Sequence, residues 1–266
     1  MAPNRRFGQN FLISKAVREK IIELLELSEK EHIWEIGPGL GAMTKDLIQY
    51  ASQLTLFEID NSFVELLESL YAKYDYIKVV PGDVVKTWKS IYQTEGQPDR
   101  IMGNLPYNTA SVIIADLIEA ACIAPKMVFT VQKEVAARMK ASPGTREYSA
   151  FSVLCQFACT VKDGGTISPG AFYPKPHVDS TIVVLHPHGK FNNSNLPLVG
   201  RITRALFSAR RKTIRNTLGR SPVASEFGKE TVLKALESCS IDAGRRGEEL
   251  SVEQIVAIAE AILIQA

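Results

Sequence analysis

Asn104-Leu105-Pro106-Tyr107 puts a carboxamide, a backbone carbonyl and an aromatic ring within four residues. That set suits the exocyclic amine of adenine. The amine is a poor nucleophile because its lone pair is delocalised into the ring. It needs hydrogen-bond acceptors that hold its N–H groups and draw the nitrogen toward sp³ geometry. The Asn104 side-chain oxygen and the Leu105 carbonyl are suitable acceptors, and Pro106, with φ fixed, helps to aim that carbonyl. Tyr107 can stack on an unstacked base. Catalysis would then consist mainly of holding the amine in line with a methyl donor. On its own the tetrapeptide is equally an Asn-Pro turn with a half-buried tyrosine, so the reading depends on what precedes it.

What precedes it is an ordered series. Glu35-Ile36-Gly37-Pro38-Gly39-Leu40-Gly41 falls at a strand-to-helix turn. Glycines there let the backbone approach a ligand, and the helix N-terminus offers free N–H groups. Glycine-rich turns also bind dinucleotides, but the spacing is G-x-G-x-G and not the G-x-G-x-x-G of the nicotinamide fingerprint. Glu58 closes the next strand, 23 residues after Glu35. An acid at that point can accept from both ribose hydroxyls of a nucleoside. Asp83 follows Gly82 after the third strand. Gly-Asp alone is commonly a turn, but as the third member of this series Asp83 can accept from a cofactor's adenine amino group. The series points to S-adenosyl-L-methionine.

The elements that must position these groups read as follows. Residues 15–27 place Val17, Ile21, Leu24 and Leu25 on one helical face after Ser14. Strands are expected at 32–36, 54–58, 76–80, 100–103 and 127–131, with helices from the glycine loop to about Tyr50, at 61–72 and at 109–122. Strands alternating with helices indicate an α/β fold with a parallel sheet covered on both faces. From about 150 the chain reads as Gly/Pro-broken segments with a last strand at 181–185. Residues 186–196 read as a linker. A final helix follows the Ser251-x-x-Gln254 capping box, with Leu250 able to staple onto Ile255.

The 266 residues are 45% hydrophobic and 23% charged, which suits one large domain and a small one. No apolar run approaches the ~20 residues of a membrane helix, and no signal-peptide core follows the first residues, so a cytoplasmic protein is expected. Cys122, Cys155, Cys159 and Cys239 fit no zinc spacing, and the four histidines form no metal set, so no metal is expected. The net charge of +2 conceals an asymmetry. Arg201, Arg204, Arg210, Arg211, Lys212, Arg215 and Arg220 stand in a stretch without an acid, which carries +7 and leaves −5 for the rest. A polyanion partner is compatible with that concentration of charge.

Together these residues closely resemble the small-subunit ribosomal RNA adenine N6,N6-dimethyltransferases, the KsgA family, over nearly the whole chain. Phe7-Gly8-Gln9-Asn10-Phe11-Leu12 resembles the family's opening motif, which implies that Asn10 and Leu12 contact the cofactor. Gly37, Glu58, Asp83 and Asn104 fall on the remaining cofactor positions. Gln132-Lys133-Glu134-Val135 resembles the segment after the fifth strand. Phe172-Tyr173-Pro174-Lys175-Pro176-His177-Val178-Asp179-Ser180 resembles the family's Phe-x-Pro-x-Pro-x-Val-Asp-Ser loop, which implies that Phe172 is a second aromatic wall for the target base. Leu206 to Leu218 resembles the basic helical motif, whose Arg210, Arg211, Lys212 and Arg215, with Arg201 and Arg204, can supply phosphate contacts. Gly247-Glu248-Glu249-Leu250 matches the family's corresponding segment only roughly.

The resemblance implies a Rossmann-like class I methyltransferase domain over 1–187 and an all-helical rRNA-binding domain over 188–266. It implies dimethylation of two adjacent adenosines near the 3′ end of small-subunit (16S) rRNA, by a monomer that binds neither membrane nor metal and is linked to subunit biogenesis. Two rivals share part of the pattern. The large-subunit rRNA methyltransferases of macrolide resistance carry the same kind of tetrapeptide. A ribosome-assembly factor could keep the fold without catalysis, but it would have no physical need for Gly37, Glu58, Asp83, Asn104 and Tyr107 together.

Overall fold

The computed structural model describes residues 9–265. Phe7 and Gly8 of the opening motif lie outside the described residues. In chain order the elements are β1 (Phe11–Leu12), α1 (Lys15–Leu25), β2 (Glu31–Ile36), α2 (Thr44–Leu47), β3 (Ala51–Glu58), α3 (Asn61–Tyr71), β4 (Ile77–Pro81), α4 (Val84–Glu95), β5 (Arg100–Asn104), α5 (Ala110–Glu119), β6 (Lys126–Gln132), α6 (Lys133–Met139), α7 (Ala150–Ala158), β7 (Cys159–Ile167), β8 (Phe172–Tyr173), β9 (Ser180–Pro187), α8 (Leu196–Phe207), α9 (Ile214–Thr217), α10 (Pro222–Phe227), α11 (Lys229–Ser238) and α12 (Val252–Gln265).

Seven strands form one sheet in the order β4-β3-β2-β5-β6-β9-β7. The pairs β4–β3, β3–β2, β2–β5 and β5–β6 are parallel, and β9 runs antiparallel to β6. The central strands are apolar runs because both faces are covered. Ile33, Leu54, Leu56, Met102 and Val128 are buried in one core cluster, and Trp34 meets Phe57 edge-to-face at 5.0 Å between ring centroids. The order turns outward on either side of β2 and β5. A crevice opens at the carboxyl ends of strands at such a switch point, and ligands of open α/β sheets bind there.

Two compact units divide the chain: 1–136 with 160–187, and 137–159 with 188–266. The segment 137–159, expected inside the sheet domain, therefore packs with the helical residues. The reason is α7, an unexpected helix whose Phe151, Val153, Leu154, Cys155 and Phe157 are all buried. In the same unit the Ser251–Gln254 capping box forms in both directions, Gln254 N donating to Ser251 Oγ (3.3 Å) and Ser251 N to Gln254 Oε1 (3.0 Å). Leu250 and Ile255 are both buried.

Other differences have local causes. The helix expected through Tyr50 is only Thr44–Leu47, because Tyr50 N turns back to Leu47 O (2.9 Å) and β3 starts at Ala51. Helix α4 was not expected from the sequence, although Asp83 caps it and Val84, Trp88 and Ile91 form its buried stripe. Strand β7 likewise lies within the Gly/Pro-broken stretch, and β9 runs to Pro187, two residues into the expected linker. Among the described residues no helix is long and apolar enough to cross a membrane.

Candidate active site

A cavity at the switch point collects Asn10, Gly37, Glu58, Asp83, Asn104, Leu105, Pro106 and Tyr107, all within the sheet unit. Residues from four strand ends and the N-terminal segment thus meet at one place, although they are spread over nearly a hundred positions of sequence.

Each member is held by its own backbone context. The glycine loop leaves β2 with Gly37 N donating to Phe57 O (2.9 Å). Gly39 has φ +54, and a Cβ there would stand 3.0 Å from the Phe11 ring. The position therefore requires both left-handed backbone and close approach, which glycine alone combines without strain. Glu58, at the end of β3, is buried. Its Oε2 accepts from Gly39 N (2.9 Å) and its Oε1 from Asp60 N (2.9 Å). Burial raises its pKa, and those amide donors act against the rise. A carboxylate has about four lone-pair sites, so Glu58 can brace the glycine loop and still accept from ribose hydroxyls. Asp83 caps α4 by accepting from Val85 N (3.1 Å) with Oδ1. The unexpected helix thus aims one of the predicted ligands.

Asn104 ends β5. Its Nδ2 donates to the Asn10 backbone carbonyl (2.7 Å). The amide orientation follows from that bond, and it leaves Oδ1 as the group available to accept. Leu105 N is tied to Thr130 O (3.2 Å) on β6, and the Pro106 carbonyl accepts from Thr109 N (3.1 Å) and Ala110 N (2.9 Å). Among the described residues no backbone amide donates to the Leu105 carbonyl. Tyr107 shares a 2.6 Å hydrogen bond with Ser180.

Sequence reasoning overlooked two participants. Gly103 lets β5 approach β2: a Cβ there would lie 2.5 Å from Ile36 O. Without that approach Asn104 would not stand beside Gly37, whose own added Cβ would come to 3.7 Å from Asn104 O. The signal was a glycine inside an apolar strand. Glu35 is fully buried. Its Oε2 accepts from Thr44 Oγ1 (2.6 Å), joining β2 to α2 around the glycine loop, and its Oε1 has no partner among the described residues. Burial is the main cause that pushes its pKa up to about 7.

Two predicted residues lie outside the lining of that cavity. Phe172 is 2% exposed and belongs to the core cluster, not to the cavity lining. The β1–β8 ribbon explains this. It pairs Leu12 with Phe172 and Phe11 with Tyr173, and directly opposed residues project to the same face. Leu12 and Phe172 face the core, and Phe11 lines the cavity. Tyr173 is 62% exposed. The Leu12 side chain is likewise in the core and outside that lining, although Leu12 lines an adjoining cavity together with Gly37 and Asn104.

The basic residues lie in the helical unit. Arg201 forms a two-pronged pair with Glu226, its second prong at 3.2 Å. Arg210 pairs with Glu248 and donates to the carbonyls of Arg146 (2.8 Å) and Thr145 (3.2 Å). Arg204, Arg211, Lys212 and Arg215 are exposed.

The sheet order, glycine loop and two strand-end acids define a class I S-adenosylmethionine-dependent methyltransferase. The profile described as Ribosomal RNA adenine dimethylase matches residues 2–263. Ribosomal RNA small subunit methyltransferase A of Treponema denticola (strain ATCC 35405) is 40% identical over 265 residues, covering 98% of this chain and 90% of that protein. Among solved structures, a dimethyladenosine transferase from Plasmodium falciparum aligns with a TM-score of 0.78 at 25% identity, over 93% of this chain and 95% of that one. The 23S rRNA methyltransferase ErmE shares the fold, with a TM-score of 0.65 at 22% identity over 95% of this chain and 99% of that one. The chain belongs to the ribosomal RNA adenine dimethylase family.

Proposed function

We propose that this methyltransferase dimethylates the N6 amines of two adjacent adenosines near the 3′ end of small-subunit 16S rRNA, as a step of subunit biogenesis. The observation that carries the adenine reading is the bond from Asn104 Nδ2 to the Asn10 carbonyl, which leaves the Asn104 oxygen as an acceptor in the cavity. That oxygen and the Leu105 carbonyl hold the two N–H groups of the amine. Tyr107 supplies the stacking face. Glu58 would take the ribose of the cofactor and Asp83 its adenine amine, with Gly37 lining the same cavity. When bound, S-adenosylmethionine supplies an electrophilic methyl on a positively charged sulfur. The residues of this chain hold the amine, exclude water and keep the approach in line. Acceptors fixed before the substrate arrives need little reorganisation as positive charge develops on the amine.

The small-subunit target is favoured by the basic segment and by the name that the Treponema denticola relative carries. In the helical unit Arg211, Lys212 and Arg215 are the candidate phosphate contacts, with Arg201, Arg204 and Arg210 beside them. On this reading the enzyme acts as a monomer in the cytoplasm on nascent subunits. Isolated unmodified small and large subunits, offered separately with labelled cofactor, test the reading. Label should enter only the small subunit, at two neighbouring adenosines. Label in the large subunit would shift the assignment to the macrolide-resistance type, and no label in either would favour a non-catalytic assembly factor.

A further inference from the structure

The motif around Phe172 ends in Ser180. Ser180 opens β9 opposite Gln132 at the end of β6. It is fully buried. Its neighbour Asp179 accepts the Lys133 amide through its carbonyl (3.0 Å), and the Asp179 carboxylate lies 3.8 Å from the Lys133 ammonium. The backbone of Ser180 is therefore fixed by sheet pairing on one side and by this clasp on the other. From that position its hydroxyl meets the Tyr107 hydroxyl at 2.6 Å.

The other end of Tyr107 is fixed as well. Its backbone belongs to the turn that Pro106 O closes onto Thr109 and Ala110. A tyrosine ring held only at its backbone still turns about two side-chain torsions, and the second has a broad, two-fold profile. A hydrogen bond at the phenolic oxygen fixes where the far end of the ring stands, and so its swing about the first torsion, while that oxygen lies on the axis of the second, which the bond only biases. The tether consumes one hydroxyl contact and leaves the ring face clear. Burial raises the phenol's pKa while Ser180 acts against the rise, so the ring stays a neutral phenol at neutral pH.

We infer that Ser180 is a positioning residue that holds the Tyr107 ring at its place in the cavity, and with it the position of the target adenine against Asn104. This rests on the reading of Tyr107 as the stacking face. It gives the Phe-x-Pro-x-Pro-x-Val-Asp-Ser segment a contribution at its far end, Ser180, where Phe172 at its near end is in the core.

The test is a double-mutant cycle with Ser180→Ala, Tyr107→Phe and the double variant, in the full chain on unmodified small subunits. Each single variant should lower kcat about fivefold to tenfold, the size of one lost hydrogen bond, with KM for the subunit and calorimetric cofactor affinity little changed. The double variant should be no slower than the slower single one. RNA carrying 2-aminopurine at the target position adds a direct readout. Stacking should quench it on the wild type, and Ser180→Ala should weaken the quench. Multiplying rate effects, or Ser180→Ala with wild-type rate and quench, would overturn the inference. If Ser180→Ala lowers the melting temperature, Tyr107→Phe removes the same bond from the other side and decides alone. A wild type that quenches no target base would instead refute the stacking role of Tyr107 itself.

Discussion

Replacing Glu35 by glutamine should remove a pH dependence from the stability of the sheet unit. Glu35 has no exposure, and burial is the main cause that lifts its carboxyl from 4.5 to about 7. An acid whose folded-state pKa lies above its unfolded value holds its proton more tightly when folded. The folded state therefore loses stability as pH rises from about 4.5 to about 7, and the loss is complete above that window. At 1.36 kcal/mol per unit, the shift amounts to roughly 3 kcal/mol. The group is fully buried, so solvent screening does not reduce it. Glutamine keeps an acceptor for Thr44 Oγ1 and cannot ionise. Both tryptophans, Trp34 and Trp88, lie in the sheet unit, so their fluorescence in urea reports that unit. Wild type and Glu35→Gln should unfold at similar urea concentrations near pH 5, and by pH 8 the variant should lead by on the order of 3 kcal/mol. Glu58, raised by burial, and His186, lowered by burial, titrate in both proteins and largely drop out of the difference. A constant gap between the two proteins from pH 5 to pH 8 would refute the argument.

The remaining predictions follow from the same geometry. Asn104→Ala should abolish methyl transfer, by at least the ~100-fold cost of one preorganised polar contact, while circular dichroism stays that of the wild type. A near-normal rate would refute the account of the loop. Gly39→Ala combines a φ of +54 with a Cβ 3.0 Å from the Phe11 ring, so calorimetry should show cofactor affinity lowered about tenfold or more. Arg211→Ala, Lys212→Ala and Arg215→Ala should each reduce the slope of log affinity for the subunit RNA against log salt by about one. Arg210→Ala should mainly lower the melting temperature of the helical unit, because its guanidinium already holds Glu248 and two carbonyls. A slope change for Arg210→Ala equal to that of Arg211→Ala would place Arg210 on the RNA instead.

How much of this was legible depended on which physical signal each residue carries. The strand ends were readable because Glu58, Asp83 and Asn104 each terminate or follow an apolar run, and loops at the carboxyl ends of parallel strands converge on one crevice. Helix α4 was present in the sequence as Asp83 followed by Val84, Trp88 and Ile91 at helical spacing. Reading Asp83 as a ligand alone concealed that the same side chain is a cap. The two roles are compatible because a carboxylate has two oxygens and the cap uses one. Helix α7 was masked for a different reason: it is buried on nearly every side, and a short, strongly apolar stretch reads as readily as a buried strand.

Phe172 shows where a motif stops informing. The type and spacing of its residues could be read, but the face to which each one points could not. Facing in a two-stranded ribbon has a period of two, so a shift of one residue in the pairing of β1 with β8 exchanges the core side for the open side. The observed register sets Phe172 with Leu12 in the core and Tyr173 with Phe11 on the other face. Nothing local decides between the two registers. In the observed register burial falls on Leu12 and Phe172, which join the core cluster as one packed pair, while Tyr173 stays 62% exposed. The basic stretch has the same limit. Its charge was countable in sequence, but whether a guanidinium meets water or an acid depends on Glu226 and Glu248, which stand 25 and 38 residues further along from Arg201 and Arg210. Residues that act through their backbone or at strand ends are therefore read well from the chain. Those whose role depends on a distant partner are not, and Ser180, 73 residues from the Tyr107 ring it tethers, belongs with the second kind.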